Sequence, residues 1–107
     1  MLKVNSKTIP KVNHFDWGTE SKLTEELKTF LISPGSFIRN LYSPNKSNKI
    51  IVTSGKLEII VSENNNQSWF YLKELDLLEI PPGCNYDLRN ASAADKLVLV
   101  SITTEEH

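Results

Sequence analysis

The chain has 107 residues, which is the size of one domain, and it carries a formal net charge of -1. Because its Lys and Arg residues are scattered and balanced by acidic ones, we expect no nucleic-acid partner, since phosphate backbones are bound by clustered cations. No apolar run approaches the roughly 20 residues of a membrane helix, so no membrane contact is expected. The single cysteine, Cys84, fits a reducing compartment and predicts a cytoplasmic protein.

The pattern along the chain favours β-structure almost throughout. The one helix candidate is Thr19 to Leu27, where Leu23 and Leu27 lie four residues apart, and a charged loop is an equally good interpretation there. A polar loop is predicted for residues 63–68, and Thr53 to Lys56 is predicted to turn a β-hairpin. The predicted strands cover residues 29–33, 37–43, 49–54, 57–62, 69–72, 75–80, 84–89 and 96–103. About eight short strands at this spacing predict an all-β sandwich or barrel.

Two segments carry a family resemblance. The run Ile50 to Lys56 resembles the end of the first cupin motif, and Pro81 to Asn90 resembles the second, with Pro, Gly and Asn in place and Tyr86 where a His is expected. Upstream, Trp17-Gly18 and Pro34-Gly35 resemble the cupin domain of type II mannose-6-phosphate isomerases and the C-terminal part of mannose-1-phosphate guanylyltransferases. The resemblance implies a cupin jelly-roll barrel in a single domain (1–107), with its core at about 15–103, a short N-terminal extension and flexible termini.

The resemblance also locates the positions that hold a metal in metal-binding cupins. They are occupied by Leu41, Ser43, Asn48 and Tyr86, none of which offers the imidazole, thiolate or carboxylate that divalent transition metals prefer. The two histidines, His14 and His107, lie far from these positions and make no ligand spacing. We therefore predict no metal and no other cofactor.

The same positions predict a pocket for a small molecule, such as a sugar or sugar phosphate. Because alternate residues of a strand share a face, Arg39 is expected to point inward with Leu41 and Ser43, where it would bind an anionic group or pair with Glu58 or Asp87. The predicted pocket residues are Arg39, Leu41, Ser43, Asn48, Tyr86 and Leu88. The favoured interpretation is a non-catalytic binding module that acts as a homodimer.

Two other functions stay open from the sequence. One is a metal-independent sugar isomerase or epimerase, with Tyr86 as the acid and His14 as a base. The other is a structural or assembly protein whose barrel is filled by side chains, with Trp17 and its neighbours at a dimer interface. Trp69 and Phe70 are interpreted as core or interface residues, or as platforms on which a sugar stacks. Cys84 is interpreted as a small buried residue rather than a nucleophile.

Overall fold

The computed structural model describes residues 11–105 of the chain. This part of the protein consists of ten β-strands joined by turns and contains no helix. The strands are β1 (Lys11–Phe15), β2 (Gly18–Lys22), β3 (Leu27–Ile32), β4 (Phe37–Tyr42), β5 (Lys46–Ser54), β6 (Leu57–Glu63), β7 (Asn66–Leu72), β8 (Leu77–Ile80), β9 (Asn85–Asn90) and β10 (Leu97–Glu105). Strands β3 to β10 correspond to the eight that the sequence predicts, so the all-β fold class is confirmed.

The strands form two antiparallel sheets that pack face to face. A six-stranded sheet, here called the large sheet, has the order β1-β2-β3-β10-β5-β8, and the small sheet has the order β4-β9-β6-β7. In β10, Leu97, Leu99 and Ser101 are buried while Val98, Val100 and Ile102 are partly exposed, which is the alternation of a strand with one face on the core. Between the sheets lies one apolar core, formed by Phe30, Ile32, Ile38, Ile50, Val52, Leu57, Ile59, Leu72, Ile80, Cys84, Tyr86, Leu88, Leu97 and Leu99.

The helix candidate at Thr19 to Leu27 is wrong. Its first part is β2, which pairs with β3, and the two strands are joined by a turn in which the Thr24 hydroxyl accepts hydrogen bonds from the backbone N–H groups of Glu26 and Leu27. A threonine hydroxyl bonded in this way stabilises a turn in place of a helix. Strands β1 and β2 are not visible in the sequence because they are polar and lie at the edge of the large sheet.

The predicted hairpin at Thr53 to Lys56 is also wrong. Strand β5 pairs with β10 and β8 in the large sheet, whereas β6 pairs with β7 and β9 in the small sheet. The turn at Gly55 therefore carries the chain from one sheet to the other. A true hairpin joins β6 and β7 within the predicted polar loop, through Asn64 and Asn65. Both residues have positive φ, as a two-residue hairpin turn requires.

The last strand runs further than the sequence predicts. Thr104 and Glu105 pair with Ser47 and Lys46, so these two residues belong to the large sheet and not to a flexible tail. The other segments expected to be flexible, 1–7 and 106–107, lie outside the described residues. In the described part, no helix is long and apolar enough to cross a membrane.

Candidate functional site: a polar cavity at one end of the barrel

A cavity of about 140 Å³ lies between the two sheets, at the end of the barrel where β4 ends and β5 begins. We call this end of the barrel the cavity end. The opposite end, which contains the turn at Gly55, is called the turn end. Five of the six predicted pocket residues line the cavity, namely Leu41, Ser43, Asn48, Tyr86 and Leu88. The other lining residues are Lys28, Phe30, Tyr42, Ile50, Ser101 and Thr103.

Arg39 does not line the cavity, and the expectation that it points inward is wrong. A β-bulge lies between Ile38 and Leu41, where three steps along β4 match two along β9, and Asn40 within it has a φ of 59°. The extra residue places both Ile38 and Leu41 on the inner side. Arg39 is exposed, and its guanidinium lies 4.1 Å from the centre of the Phe37 ring.

Neither of the carboxylates suggested as partners of Arg39 is bound to it. Glu58 accepts a hydrogen bond from Arg89 at 3.3 Å instead. Asp87 accepts one from the backbone N–H of Asn40 at 2.8 Å, which holds the bulge against β9. The arginine predicted for the pocket therefore belongs to the outer surface of the small sheet.

The centre of the polar wall is the side-chain amide of Asn48, which is buried at 4% exposure. Its Nδ2 donates to the hydroxyl of Ser43 at 3.3 Å, and its Oδ1 accepts from the hydroxyl of Thr103 at 2.7 Å. The amide therefore links the start of β5 to the end of β10 and to the residue that follows β4. Each of its partners is a side-chain hydroxyl in the cavity wall.

Tyr86 is the largest of the buried polar residues in the cavity lining and is 6% exposed. Burial raises the pKa of its phenol to about 12, so the hydroxyl keeps its proton at any physiological pH. No described residue forms a hydrogen bond with this hydroxyl. Every fully buried side-chain oxygen in the described part of the chain has a partner, so the Tyr86 hydroxyl is not fully buried. The Tyr86 hydroxyl therefore meets the open space of the cavity.

The remaining walls are apolar except for the Ser101 hydroxyl, and the mouth carries a cation. Phe30, Ile50 and Leu88 are buried and form the floor. Lys28 and Tyr42 are the more exposed lining residues and mark the opening to solvent. The Lys28 ammonium also lies 3.4 Å from the carboxylate of Glu20 on the neighbouring strand β2.

The donor set of the cavity does not suit a transition metal. Its lining contains no His, Cys, Asp or Glu, and no cluster of three such residues occurs anywhere in residues 11–105. His14 is exposed on β1 and is not part of the lining, and His107 lies outside the described residues. The hydroxyls and the neutral amide present here are weak ligands for zinc, iron or manganese.

Other residues singled out from the sequence lie elsewhere. Cys84 is 2% exposed, and burial, with a smaller effect of the Glu63 carboxylate, raises the pKa of its thiol, so it stays protonated. Trp17 stacks on Phe15 and packs against Phe30 within its own chain. Trp69 and Phe70 lie on the edge strand β7, exposed by 59% and 39%. Cys84, Trp17, Trp69 and Phe70 therefore do not contribute to the cavity.

A wider groove of about 750 Å³ lies on the outer surface at the turn end. Lys56, Lys73 and Lys96 border it, and most of its lining residues are exposed. It contains none of the predicted site residues. The cavity between the sheets is therefore the better candidate, because its walls are held by strands on both sides.

Sequence reasoning missed the cavity residues contributed by β3 and β10. Lys28 and Thr103 are far from the two motifs and meet them only through sheet pairing and packing. Ser101 did carry a signal, since alternation places it on the buried face of β10 with Leu97 and Leu99. A small hydroxyl at a core-facing position beside larger apolar residues is a local indication of a polar cavity.

The arrangement defines an all-β jelly roll with a small ligand-sized space between its two sheets. It is similar to several solved structures. A capsular polysaccharide assembling protein, CapF, from Staphylococcus aureus matches 95% of this chain with a TM-score of 0.82 and 20% identity. The cupin domain of Drosophila melanogaster CENP-C matches 89% of it, with a TM-score of 0.79 and 18% identity. An oxalate decarboxylase from Lactobacillus farciminis matches 90%, with a TM-score of 0.77 and 14% identity.

The chain therefore has the cupin fold. It spans 30% of the CapF chain, 70% of the CENP-C chain and 31% of the decarboxylase chain. No protein-family model matches the sequence, and no curated protein matches it. At these identities the similarity extends to the fold alone, since one fold hosts many unrelated functions.

Proposed function

We propose that this protein is a metal-free, non-catalytic binding module for a small polar molecule, with the cavity as its binding site. The observation that carries the proposal is the unpartnered Tyr86 hydroxyl, nearly buried and facing open space beside the Asn48 network. An unpaired donor in a low-dielectric setting is costly unless something in the cavity accepts its hydrogen bond. A bound molecule or ordered water supplies that acceptor.

The size of the cavity limits what can enter it. Drug-sized ligands occupy roughly 300–1,000 Å³, whereas an engineered cavity of about 150 Å³ holds benzene. A cavity of about 140 Å³ thus accommodates roughly six non-hydrogen atoms. A sugar or sugar phosphate, the ligand class suggested by the resemblance to mannose-6-phosphate isomerases, would insert only one end and leave the remainder at the mouth near Lys28.

The metal-independent isomerase is less well supported. Tyr86 can donate a proton or a hydrogen bond, but proton transfer at carbon also needs a base within reach. The cavity lining holds no carboxylate or imidazole, and the base suggested earlier, His14, is exposed on β1 outside it. Lys28 lies at the mouth beside Glu20. The lining is thus better equipped for binding than for turnover.

A screen with matched variants tests the proposal. Thermal shift would be measured with sugars, sugar phosphates and small polar fragments, because a ligand that prefers the folded state raises Tm. Ser101→Leu places an apolar side chain in the cavity from β10, and we expect it to abolish the shifts. Ser62→Leu, on the outer side of β6, is the control and should keep them. Shifts that survive Ser101→Leu, or a screen without any shift, would contradict the proposal.

A second candidate function, assembly through a homodimer, is favoured by one surface. The outer face of the small sheet carries exposed aromatic residues on its two edge strands, Phe37 on β4 and the pair Trp69 and Tyr71 on β7. Exposed aromatic residues are enriched at protein interfaces. Trp17, named for this role from the sequence, is partly buried and packs against Phe15 and Phe30.

The oligomeric state tests this candidate directly. Light scattering after size-exclusion chromatography should give twice the monomer mass for the unmodified protein. The double variant Trp69→Gln and Tyr71→Gln should elute as a monomer, while Val12→Gln, which removes an exposed apolar residue of β1, should not change the mass. A monomer for the unmodified protein at high concentration would overturn the candidate.

A further inference from the structure

The two hydrogen bonds of Asn48 define which way its amide faces. The contact to Thr103 is 2.7 Å, the usual length of an O–H···O bond and short for an N–H···O bond. The contact to Ser43 is 3.3 Å, which is well beyond the length of an O–H···O bond and is that of a weak N–H···O bond. The amide oxygen therefore faces Thr103, and the amide nitrogen faces Ser43.

This orientation determines what the neighbouring hydroxyls can still do. Thr103 uses its proton on the amide oxygen, so it has only lone pairs left. Ser43 accepts from the amide nitrogen, so its own proton remains free to donate. Tyr86 also has a free proton, since no described residue hydrogen-bonds its hydroxyl. The cavity thus presents free hydroxyls at Ser43 and Tyr86, which lie next to each other at the end of β4 and in the paired strand β9, and a further hydroxyl at Ser101 on β10.

A charged donor lies at the mouth. The Lys28 ammonium has three N–H groups, and its single ion pair with Glu20 at 3.4 Å leaves others available. No carboxylate lies within the lining itself to compete for these donors. The polar part of the cavity is therefore rich in donors and favours a ligand with several acceptor lone pairs, such as a carboxylate.

We propose that the cavity binds the carboxylate of a small organic acid, with its oxygens between Ser43, Tyr86 and Lys28 and a short apolar tail against Phe30, Ile50 and Leu88. The volume limits the acid to about six non-hydrogen atoms, a branched or linear chain of three or four carbons. This inference rests on the proposed binding function and narrows its ligand class. It needs no metal, because the three donors satisfy the carboxylate that burial would otherwise destabilise.

The test compares two compounds of one shape, isobutyrate and isobutyramide, by NMR titration of the ¹⁵N-labelled full chain at pH 7. We expect isobutyrate to shift the amide signals of residues around the cavity with a millimolar or lower Kd. Isobutyramide should bind at least tenfold more weakly, because its NH₂ group offers donors where the cavity also offers donors.

Variants assign the donors. Tyr86→Phe and Ser43→Ala should each weaken isobutyrate binding about five- to tenfold, while Tyr71→Phe, on the outer face, should leave it unchanged. Lys28→Met should weaken the binding of isobutyrate and leave the binding of isobutyramide unchanged. This difference separates an effect of charge from a change in the shape of the cavity. The amide spectrum of each variant shows whether it is folded, and Tyr86→Phe keeps the ring that fills the core.

The outcomes separate this inference from the proposed function. If isobutyramide binds as tightly as isobutyrate, or if Tyr86→Phe and Ser43→Ala leave the affinity unchanged, the carboxylate inference is overturned while a neutral ligand remains compatible with a binding module. If neither compound shifts the cavity signals and the wider screen also finds nothing, both proposals fail.

Discussion

The two ends of the barrel each contain a buried asparagine, and the two are bonded in different ways. At the turn end, Asn90 is 1% exposed and binds only main-chain groups: it donates to the carbonyls of Ile32 and Asp95 at 3.0 and 2.8 Å and accepts from the N–H of Ser92 at 2.9 Å. At the cavity end, Asn48 is almost as buried but binds only two side-chain hydroxyls.

The difference separates a residue that holds the fold from one that shapes a site. The partners of Asn90 are fixed by the backbone and cannot turn to water if the amide is removed. The partners of Asn48 are hydroxyls that rotate and that border a cavity, so each can find another partner. Burial alone does not distinguish the two roles, whereas the nature of the partners does.

The largest effect should follow from Asn90→Ala. It leaves three main-chain groups without partners, each costing about 1–3 kcal/mol when buried, although relaxation will recover part of this. We expect the free energy of unfolding, measured with urea, to fall by about 4 kcal/mol. A loss below about 1.5 kcal/mol would mean that the turn end is as adaptable as the cavity end.

Substituting a glycine at each end should give the next largest difference in the free energy of unfolding. Gly55 has a φ of 99°, and a Cβ there would lie 2.8 Å from the carbonyl oxygen of Lys96, whereas Gly83 has a φ of 85° and nothing within 4 Å. Gly55→Ala carries both a contact and backbone strain, so we expect a loss of about 3 kcal/mol, against about 1 kcal/mol for Gly83→Ala. If urea unfolding shows equal losses of unfolding free energy for the two variants, the closer packing around Gly55 has no effect on stability and the prediction is wrong.

Alkaline pH should destabilise the protein through Tyr86. Its folded pKa of about 12 is above the unfolded value near 10, so the unfolded chain loses the proton first. Stability is fully retained below pH 10 and falls between pH 10 and 12, by about 2 kcal/mol. Tyr86→Phe should remove this part of the pH dependence of Tm, and Tyr71→Phe should keep it. If the pH dependence of Tm is the same in Tyr86→Phe as in the unmodified protein, a group other than Tyr86 causes it.

The smallest effect is expected for Asn48→Ala, the counterpart of Asn90→Ala. Two side-chain hydrogen bonds are lost, but Ser43 and Thr103 can turn toward water in the cavity, so we expect a loss of about 1 kcal/mol. The same variant should alter isobutyrate binding, because the Ser43 proton is no longer directed away from the amide. A stability loss similar to that of Asn90→Ala would remove the distinction between the two asparagines.

Much of the fold is predictable from the sequence, for a physical reason. Strands that face a core repeat apolar residues at every second position, as β10 does, and several end at Pro or Gly, as the segment before Pro81 does. Strand β2, with the sequence Gly-Thr-Glu-Ser-Lys, has no such pattern and is held by its pairing with β3. The sheet to which a strand belongs was also not predictable, because a turn such as Gly55 has the same local sequence whether or not its flanking strands pair.

The candidate site was predictable where the two motifs contribute and not elsewhere. Leu41, Ser43, Asn48, Tyr86 and Leu88 share one cavity, and whether it binds a ligand stays a prediction. Arg39 was misplaced because strict alternation was assumed across a bulge. The only local sign of the bulge is Asn40, since asparagine tolerates positive φ better than most residues.

The bulge in β4 has a consequence for how this protein can change over evolution. Removing one codon at position 39 or 40 would restore regular alternation, with Ile38 and Leu41 still on the inner side. A deletion further along the strand would instead bring Tyr42 to the place of Leu41. Homologues should therefore differ in length at positions 39–40 while the spacing from residue 41 onward is conserved.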